Sequence, residues 1–302
     1  MDDAGVASTD TVAQMSDAGP LMELEELEPG TMVAQRYRVI RQVHRDAVGL
    51  AMLVEDTIWG EEIVLKFLHP AVAANELQLK SFIEELRVAR KVIHENVLRM
   101  HDVLVFDNVY ALSLEHFPSH ALPEELKHGP LTVLRGLRIS WDICRGLNAI
   151  HQAGLVQREL TPEHILLNYT GGVKIVGEFL PMHAVENNAV TDAALFHAPR
   201  YTAPECVRQG ALDARTNVYT LGVIMYEMFT GRAPYADDNA AALLLQHVEG
   251  RPIPPRQLQA TLSEELEGII LQAMAVDPAQ RFQTTDSLRR SMVALFKQPG
   301  NA

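Results

Sequence analysis

The sequence is poor in cysteine. Its 302 residues include two, Cys144 and Cys206, in no metal-ligand spacing, which excludes a disulfide framework and a cysteine-built zinc site and leaves two buried thiols. Long apolar runs are also absent: the richest stretch, LGVIMYEMF at 221–229, falls well short of the ~18–20 residues a membrane-spanning helix needs. The N-terminus lacks the basic residues that open a secretory signal, since MDDAGVASTD is acidic, so a cytoplasmic protein is expected. Positive charge is scarce as well. Against 39 Asp and Glu stand 26 Lys and Arg, a net charge of −13, and nucleic acid is excluded as a partner because its phosphates would meet like charge.

What is present is an ordinary globular composition, 47% hydrophobic and 22% charged, with a sharp change of texture near residue 30. Residues 1–30 hold Asp2, Asp3, Asp10, Asp17, Glu23, Glu25, Glu26 and Glu28 without a single Lys or Arg, and are expected to form an acidic, disordered tail. Beyond it, RYRVIRQV, LAMLVED and EEIVLKFL are short β-branched and aliphatic runs that read as successive strands. Leu79, Phe82, Ile83, Leu86, Ala89 and Ile93 then fall near helical spacing, followed by strand-like VLRMHDVLVF and VYALSLEHF. From Leu131 onward the pattern is helical. LRGLRISWDICRGLNAIHQAG ends in a glycine suited to a helix C-cap, NVYTLGVIMYEMFTG is apolar on all sides, and EELEGIILQAMAV and TTDSLRRSMVALFK are amphipathic.

Seven segments in fixed order carry a resemblance: IVLK, FIEELRVARKVIHENVL, LEHF, QRELTPEHILL, RYTAPE, DARTNVYTLGVIMYEMFTGRAPY and DPAQRF. Together, over about Arg36 to Phe296, they resemble the eukaryotic-like protein kinases of the bacterial Ser/Thr type. The resemblance implies an α+β, two-lobed protein-kinase-like fold. A small antiparallel-sheet N-lobe with one main helix would span 31–117, a larger and mostly helical C-lobe 118–297, and a short tail 298–302. It also implies roles for single residues. Lys66 and Glu85 match the ion pair that holds the ATP phosphates, and Gly49, Val64, Glu115, Phe117 and Leu166 match further nucleotide-binding positions. Glu205 and Arg281 match a buried structural ion pair.

Several positions depart from the family pattern, and they cluster. Where the family has G-x-G-x-x-G the chain reads HRDAVG, so His44 and Asp46 replace two glycines and a carboxylate would face the phosphates. The catalytic His-Arg-Asp becomes Gln157, Arg158, Glu159, whose longer carboxylate displaces the group that positions the hydroxyl. Thr161 and His164 replace the downstream Lys and Asn, and Gly177 in VGEF stands where the metal-binding Asp should be. Magnesium wants hard oxygen ligands, which leaves Glu178, His164 and Glu163 as weak metal candidates. Ala198 and Asn217 replace a Thr and an Asp that brace the same loop. His116 and His120, four apart without carboxylate spacing, read as an ordinary loop, and Thr191 and Thr202 as activation-segment residues that Arg158 would meet if phosphorylated.

The expectation is therefore a pseudokinase: a regulatory or scaffolding module with weak or no ATP binding and little use of Mg²⁺, partnered by a protein such as an active kinase or signalling protein. The alternatives are a slow atypical Ser/Thr kinase using Glu159 and a displaced metal ligand, and a nucleotide sensor that closes on ATP without transferring phosphate.

Overall fold

The structure, a computed structural model, describes residues 27–45, 49–68, 83, 86–107, 109–177, 198–208 and 212–297, together with the backbone of 179–181. The acidic segment before residue 27, Asp46, Glu85, Glu178 and Thr191 lie outside them. The chain divides into two compact units, one built from the residues up to Arg90 with Arg99–His116, the other from Lys91–Leu98 and the residues from Phe117 onward.

The first unit is a six-stranded antiparallel sheet in the order β1-β2-β3-β4-β6-β5. Its strands are β1 (Met32–Val33), β2 (Tyr37–Arg45), β3 (Gly49–Asp56), β4 (Glu61–Leu68), β5 (Met100–Phe106) and β6 (Val109–Glu115). Strand β3 is apolar at nearly every position, Leu50 through Val54, because both of its faces are covered. Its neighbour β2 buries Tyr37 and Val39, then becomes exposed from Arg41 to Arg45, beyond two register shifts that lie between Val39 and His44. Leu27, Tyr37, Val39, Met52, Val54, Leu65 and Phe67 form the core, with Phe106 set edge-on against Tyr37. Residues 86–89 are helical.

In the second unit the helical spacing read from the sequence is realised. Helix α1 (Leu122–Leu126) precedes α2 (Val133–Gln152), whose Thr132 hydroxyl caps Arg135 N and which buries Leu137, Ile143, Cys144, Leu147 and Ile150 along one stripe. After α3 (Pro204–Val207) comes α4 (Ala214–Thr230), opened by an Asp213 and Thr216 capping box and closed by left-handed Gly231. All of α4 from Thr216 to Phe229, apart from Glu227, is buried, and each of its large apolar side chains contributes roughly 1.5–3 kcal/mol. Helices α5 (Ala240–Glu249), α6 (Pro255–Leu258), α7 (Glu264–Ala273) and α8 (Thr285–Ser291) complete the unit. The approach of α7 to α4 is close: a Cβ on Gly222 would lie 2.9 Å from the Ala273 Cβ. Among the described residues no helix is long and apolar enough to cross a membrane.

Candidate functional site

The loop Gln157–Asn168 is held at both ends by short sheets. Strand β8 (Leu155–Gln157) pairs with β11 (Phe179–Pro181), while β9 (Ile165–Leu167) pairs on one edge with β10 (Val173–Ile175) and on the other with β7 (His120–Ala121). Asn168 tightens the β9–β10 turn by accepting from Thr170 N, the Thr170 hydroxyl and Gly172 N at 3.1, 2.9 and 2.6 Å.

Gln157 is buried, and its backbone and side-chain nitrogen are bonded, while its Oε1 has no partner among the described residues. Its main-chain N donates to Asn217 Oδ1 at 3.0 Å, and its carbonyl accepts from Asn217 Nδ2 at 2.7 Å. Its side-chain Nε2 donates to the carbonyls of Glu159 (2.9 Å) and Val176 (3.1 Å). The two opposed bonds on Gln157 fix which end of the Asn217 amide is oxygen. His151 Nε2 lies 2.9 Å from that same oxygen and therefore carries the proton. Burial holds the His151 pKa below its ordinary value, so Gln157, Asn217 and His151 form a neutral network.

His164 sits in a 3-10 turn (Pro162–His164), its Nδ1 3.0 Å from the Thr161 hydroxyl, while its amide donates to the Thr161 carbonyl. Its carbonyl accepts from Val176 N at 2.8 Å. Arg158 is exposed; Glu159 and Gly177 are half-buried.

Apart from Glu85, the family-matched nucleotide residues fall on described elements of one unit or the other. In the first, Gly49 opens β3, Val64 and Lys66 lie on β4, and Glu115 ends β6, where its N donates to the Arg99 carbonyl at 2.9 Å. Gly49 has a packing reason to be glycine, because a Cβ there would stand 1.9 Å from the Phe67 carbonyl oxygen on the paired strand. In the second unit, Leu166 lies on β9, and the Phe117 ring is covered by Lys174 Nζ at 5.5 Å. Glu85, expected to pair with Lys66, lies outside the described residues, as does Glu178.

The family implies ATP with Mg²⁺. Mg²⁺ requires near-octahedral oxygen ligands, yet the two positions that supply them in the family present an imidazole bonded to Thr161 and a glycine without a side chain. These two residues do not fit the ion, and among the described residues no group of three or more His, Cys, Asp or Glu could hold a metal. His116 and His120 each bond within their own unit, to Glu62 (2.9 Å) and to Glu125 (3.3 Å).

Arg281 and Glu205 form a buried ion pair. Arg281 is wholly buried and places all five N–H donors: two on Glu205 at 2.7 and 2.8 Å, and the others on the carbonyls of Ala275, Arg215 and Val276. Its guanidinium also lies 4.7 Å from the Tyr219 ring centre. Just before α3, Thr202 is buried and its hydroxyl donates to the Ala198 carbonyl, while Tyr201 OH donates to Glu227 at 2.7 Å.

One cluster was not foreseen. His247 on α5 is wholly buried, its Nδ1 2.8 Å from Tyr219 OH and its ring edge-on to Tyr235 at 4.7 Å. Burial pushes its pKa down to about 4, against a smaller opposing contribution from the Arg200 backbone. The available sequence signal was a histidine on the apolar run ALLLQHV, which could equally be an exposed helix position. Cys144 is buried, as expected, whereas Cys206 is only half-buried; burial raises the Cys144 thiol far above its ordinary range and Cys206 to about 12.

A curled antiparallel sheet followed by a helical lobe with these loop elements is the protein kinase fold. The chain aligns with the solved kinase domain of PknI from Mycobacterium tuberculosis at a TM-score of 0.71 and 23% identity, over 90% of this chain and 99% of that one. Residues 37–293 match the family model for the protein kinase domain, and the chain belongs to that family. Its curated relatives include the serine/threonine-protein kinase PrkC of Bacillus subtilis, 25% identical over 269 residues covering 88% of this chain and 41% of PrkC. Another is the serine/threonine-protein kinase PknB of Mycobacterium leprae, 28% identical over 258 residues covering 83% and 41%. The chain thus spans about two fifths of the length of these relatives.

Proposed function

We propose that this kinase domain acts as a binding and regulatory module that keeps the kinase fold without transferring phosphate. The observation that carries this reading is the pairing of His164 with Thr161, together with a glycine at position 177, at the two positions where the family binds its metal. Phosphoryl transfer depends almost wholly on positioning and on neutralising charge by metal ions, and a site lacking both ligands forfeits the larger part of that. Nucleotide binding in this reading is weak, rests on Lys66 and the strand backbone near Glu115, and gains little from Mg²⁺.

The names of the relatives favour a second reading more directly than they favour the first. Both are serine/threonine kinases, and neither sets this chain apart as inactive. In that reading the domain transfers phosphate from ATP to a protein hydroxyl, with Glu159 positioning the hydroxyl, Arg158 beside it, and Mg²⁺ held by a ligand other than His164 and Gly177.

Thermal denaturation of the full chain with ATP, with and without Mg²⁺ or Mn²⁺, separates the two, because ligand binding to the folded state raises the melting temperature. The module predicts no shift, or one independent of metal, and no transfer of labelled phosphate to the chain or to a generic protein substrate. A metal-dependent shift, with transfer abolished in Lys66→Ala, would establish the kinase.

A further inference from the structure

The turn between β3 and β4, residues 57–60, carries Ile58 and Trp59 at 66% and 73% exposure. Single exposed apolar residues are ordinary on a protein surface. This pair differs because it is adjacent, aromatic in part, and mounted on a turn whose backbone is fixed from below. Arg36 donates to both Asp56 carboxylate oxygens, at 3.0, 3.1 and 2.6 Å. Asp56 Oδ1 in turn accepts from Ile58 N at 3.1 Å, and its carbonyl accepts from Gly60 N at 2.8 Å. The Thr57 amide and hydroxyl both donate to the Arg36 carbonyl, at 3.0 and 2.7 Å. Gly60, with φ of 68°, completes a bend that a side chain would strain. Little backbone freedom remains to be lost when this knob is covered.

The rim of the knob is acidic in an unusual way. The strand register sets Glu55 opposite Glu62 and Asp56 opposite Glu61, like-charge cross-strand pairs that destabilise a sheet. Arg36 neutralises Asp56 and Arg38 neutralises Glu55 at 2.8 Å, while Glu62 meets His116, charged when that ring is protonated. Glu61 and Glu62 remain exposed.

We infer that Ile58 and Trp59 form a docking knob for a second protein that presents an apolar pocket bordered by Lys or Arg. Charge complementarity selects this occupant. A second copy of a chain of net charge −13, or the acidic residues of the chain's own N-terminal segment, would meet the rim with like charge. An anionic membrane surface would do the same. Tryptophan buried in a desolvated pocket is among the residues enriched at binding hot spots. The surface serves a module or an active kinase equally well.

The test is selection of a random phage-displayed peptide library on the immobilised full chain, with counter-selection on Trp59→Ala. Enriched peptides should combine apolar residues with Lys or Arg. As synthetic peptides they should bind at least tenfold more weakly to Trp59→Ala and Ile58→Ser. Binding should also weaken severalfold with Glu61→Gln/Glu62→Gln and with added salt. Melting temperatures of these surface variants should match the parent protein. Failure to recover any Trp59-dependent peptide, or peptide binding indifferent to Glu61 and Glu62, overturns the inference. So does Trp59-dependent dimerisation in sedimentation, which assigns the knob to self-association, or Trp59-dependent binding to phosphatidylcholine vesicles, which assigns it to lipid.

Discussion

Asn217 grips the Gln157 peptide from both sides, accepting from its N at 3.0 Å and donating to its carbonyl at 2.7 Å. Donor and acceptor are both used, so the residue is matched to its site as an amide. Replacing it with the family's acid, Asn217→Asp, removes the donor and sets a carboxylate against the Gln157 carbonyl. A loss of roughly 1–3 kcal/mol is expected in urea denaturation at neutral pH, and equal or greater stability would show that the amide is not needed.

The Arg281 and Glu205 pair should behave as buried ion pairs do when broken from one side. Arg281→Met leaves the Glu205 carboxylate buried without its partner and removes the guanidinium donor from three main-chain carbonyls, at an expected cost of roughly 3–5 kcal/mol. The double change with Glu205→Gln should recover part of that loss. Denaturation midpoints of the two variants, compared at constant slope, measure both effects.

Gly49 separates packing from phosphate binding. Because its missing Cβ would fall 1.9 Å from the Phe67 carbonyl oxygen, Gly49→Ala should force β3 and β4 apart and destabilise the protein by roughly 1–3 kcal/mol with no nucleotide present. Unchanged melting of the nucleotide-free variant would return this glycine to a purely functional role.

His247 gives stability a specific pH dependence. Its folded pKa, about 4, lies below the ordinary 6.5, so below 6.5 the unfolded chain binds the extra proton first. The contribution is complete above pH 6.5 and is lost progressively down to about pH 4, by roughly 2–3 kcal/mol. His247→Phe removes the ring nitrogen that meets Tyr219 OH and should be less stable at pH 7. The gap to the parent protein should close as the pH falls from 6.5 to 4.5. His94, His101 and His151, also held below their ordinary value by burial, are common to both proteins, so the difference between their urea curves isolates this ring.

Much of the fold could be read from the residues, because local periodicity and burial agree in it. The all-apolar stretch of α4 is buried, and the short runs near residues 37, 50 and 61 are strands β2, β3 and β4. The sequence reading registered Gln157 and Asn217 as separate departures from a family pattern. Their partnership was not legible, because it joins residues 60 positions apart through a turn geometry that no local pattern encodes. Gly49 is ambiguous for a related reason: a glycine demanded by a neighbouring strand's carbonyl looks, in sequence, the same as one demanded by a phosphate.

The short stretch Lys91–Leu98 packs with the second unit although the residues on either side of it belong to the first. Asn96 Nδ2 donates to the Val173 carbonyl, Ile175 N to the Asn96 carbonyl and Leu98 N to the Ile175 carbonyl. Gly146 on α2 leaves no room for a side chain beside that Asn96 oxygen. No single cut in the chain therefore frees either half. A fragment ending near residue 116 would carry eight residues stripped of their hydrogen-bonding partners, and one beginning at 117 would expose the edge of β10 that those residues cover. Truncation, circular permutation and lobe swapping with a relative must each move this stretch with the second unit, or leave an unpaired edge prone to aggregation.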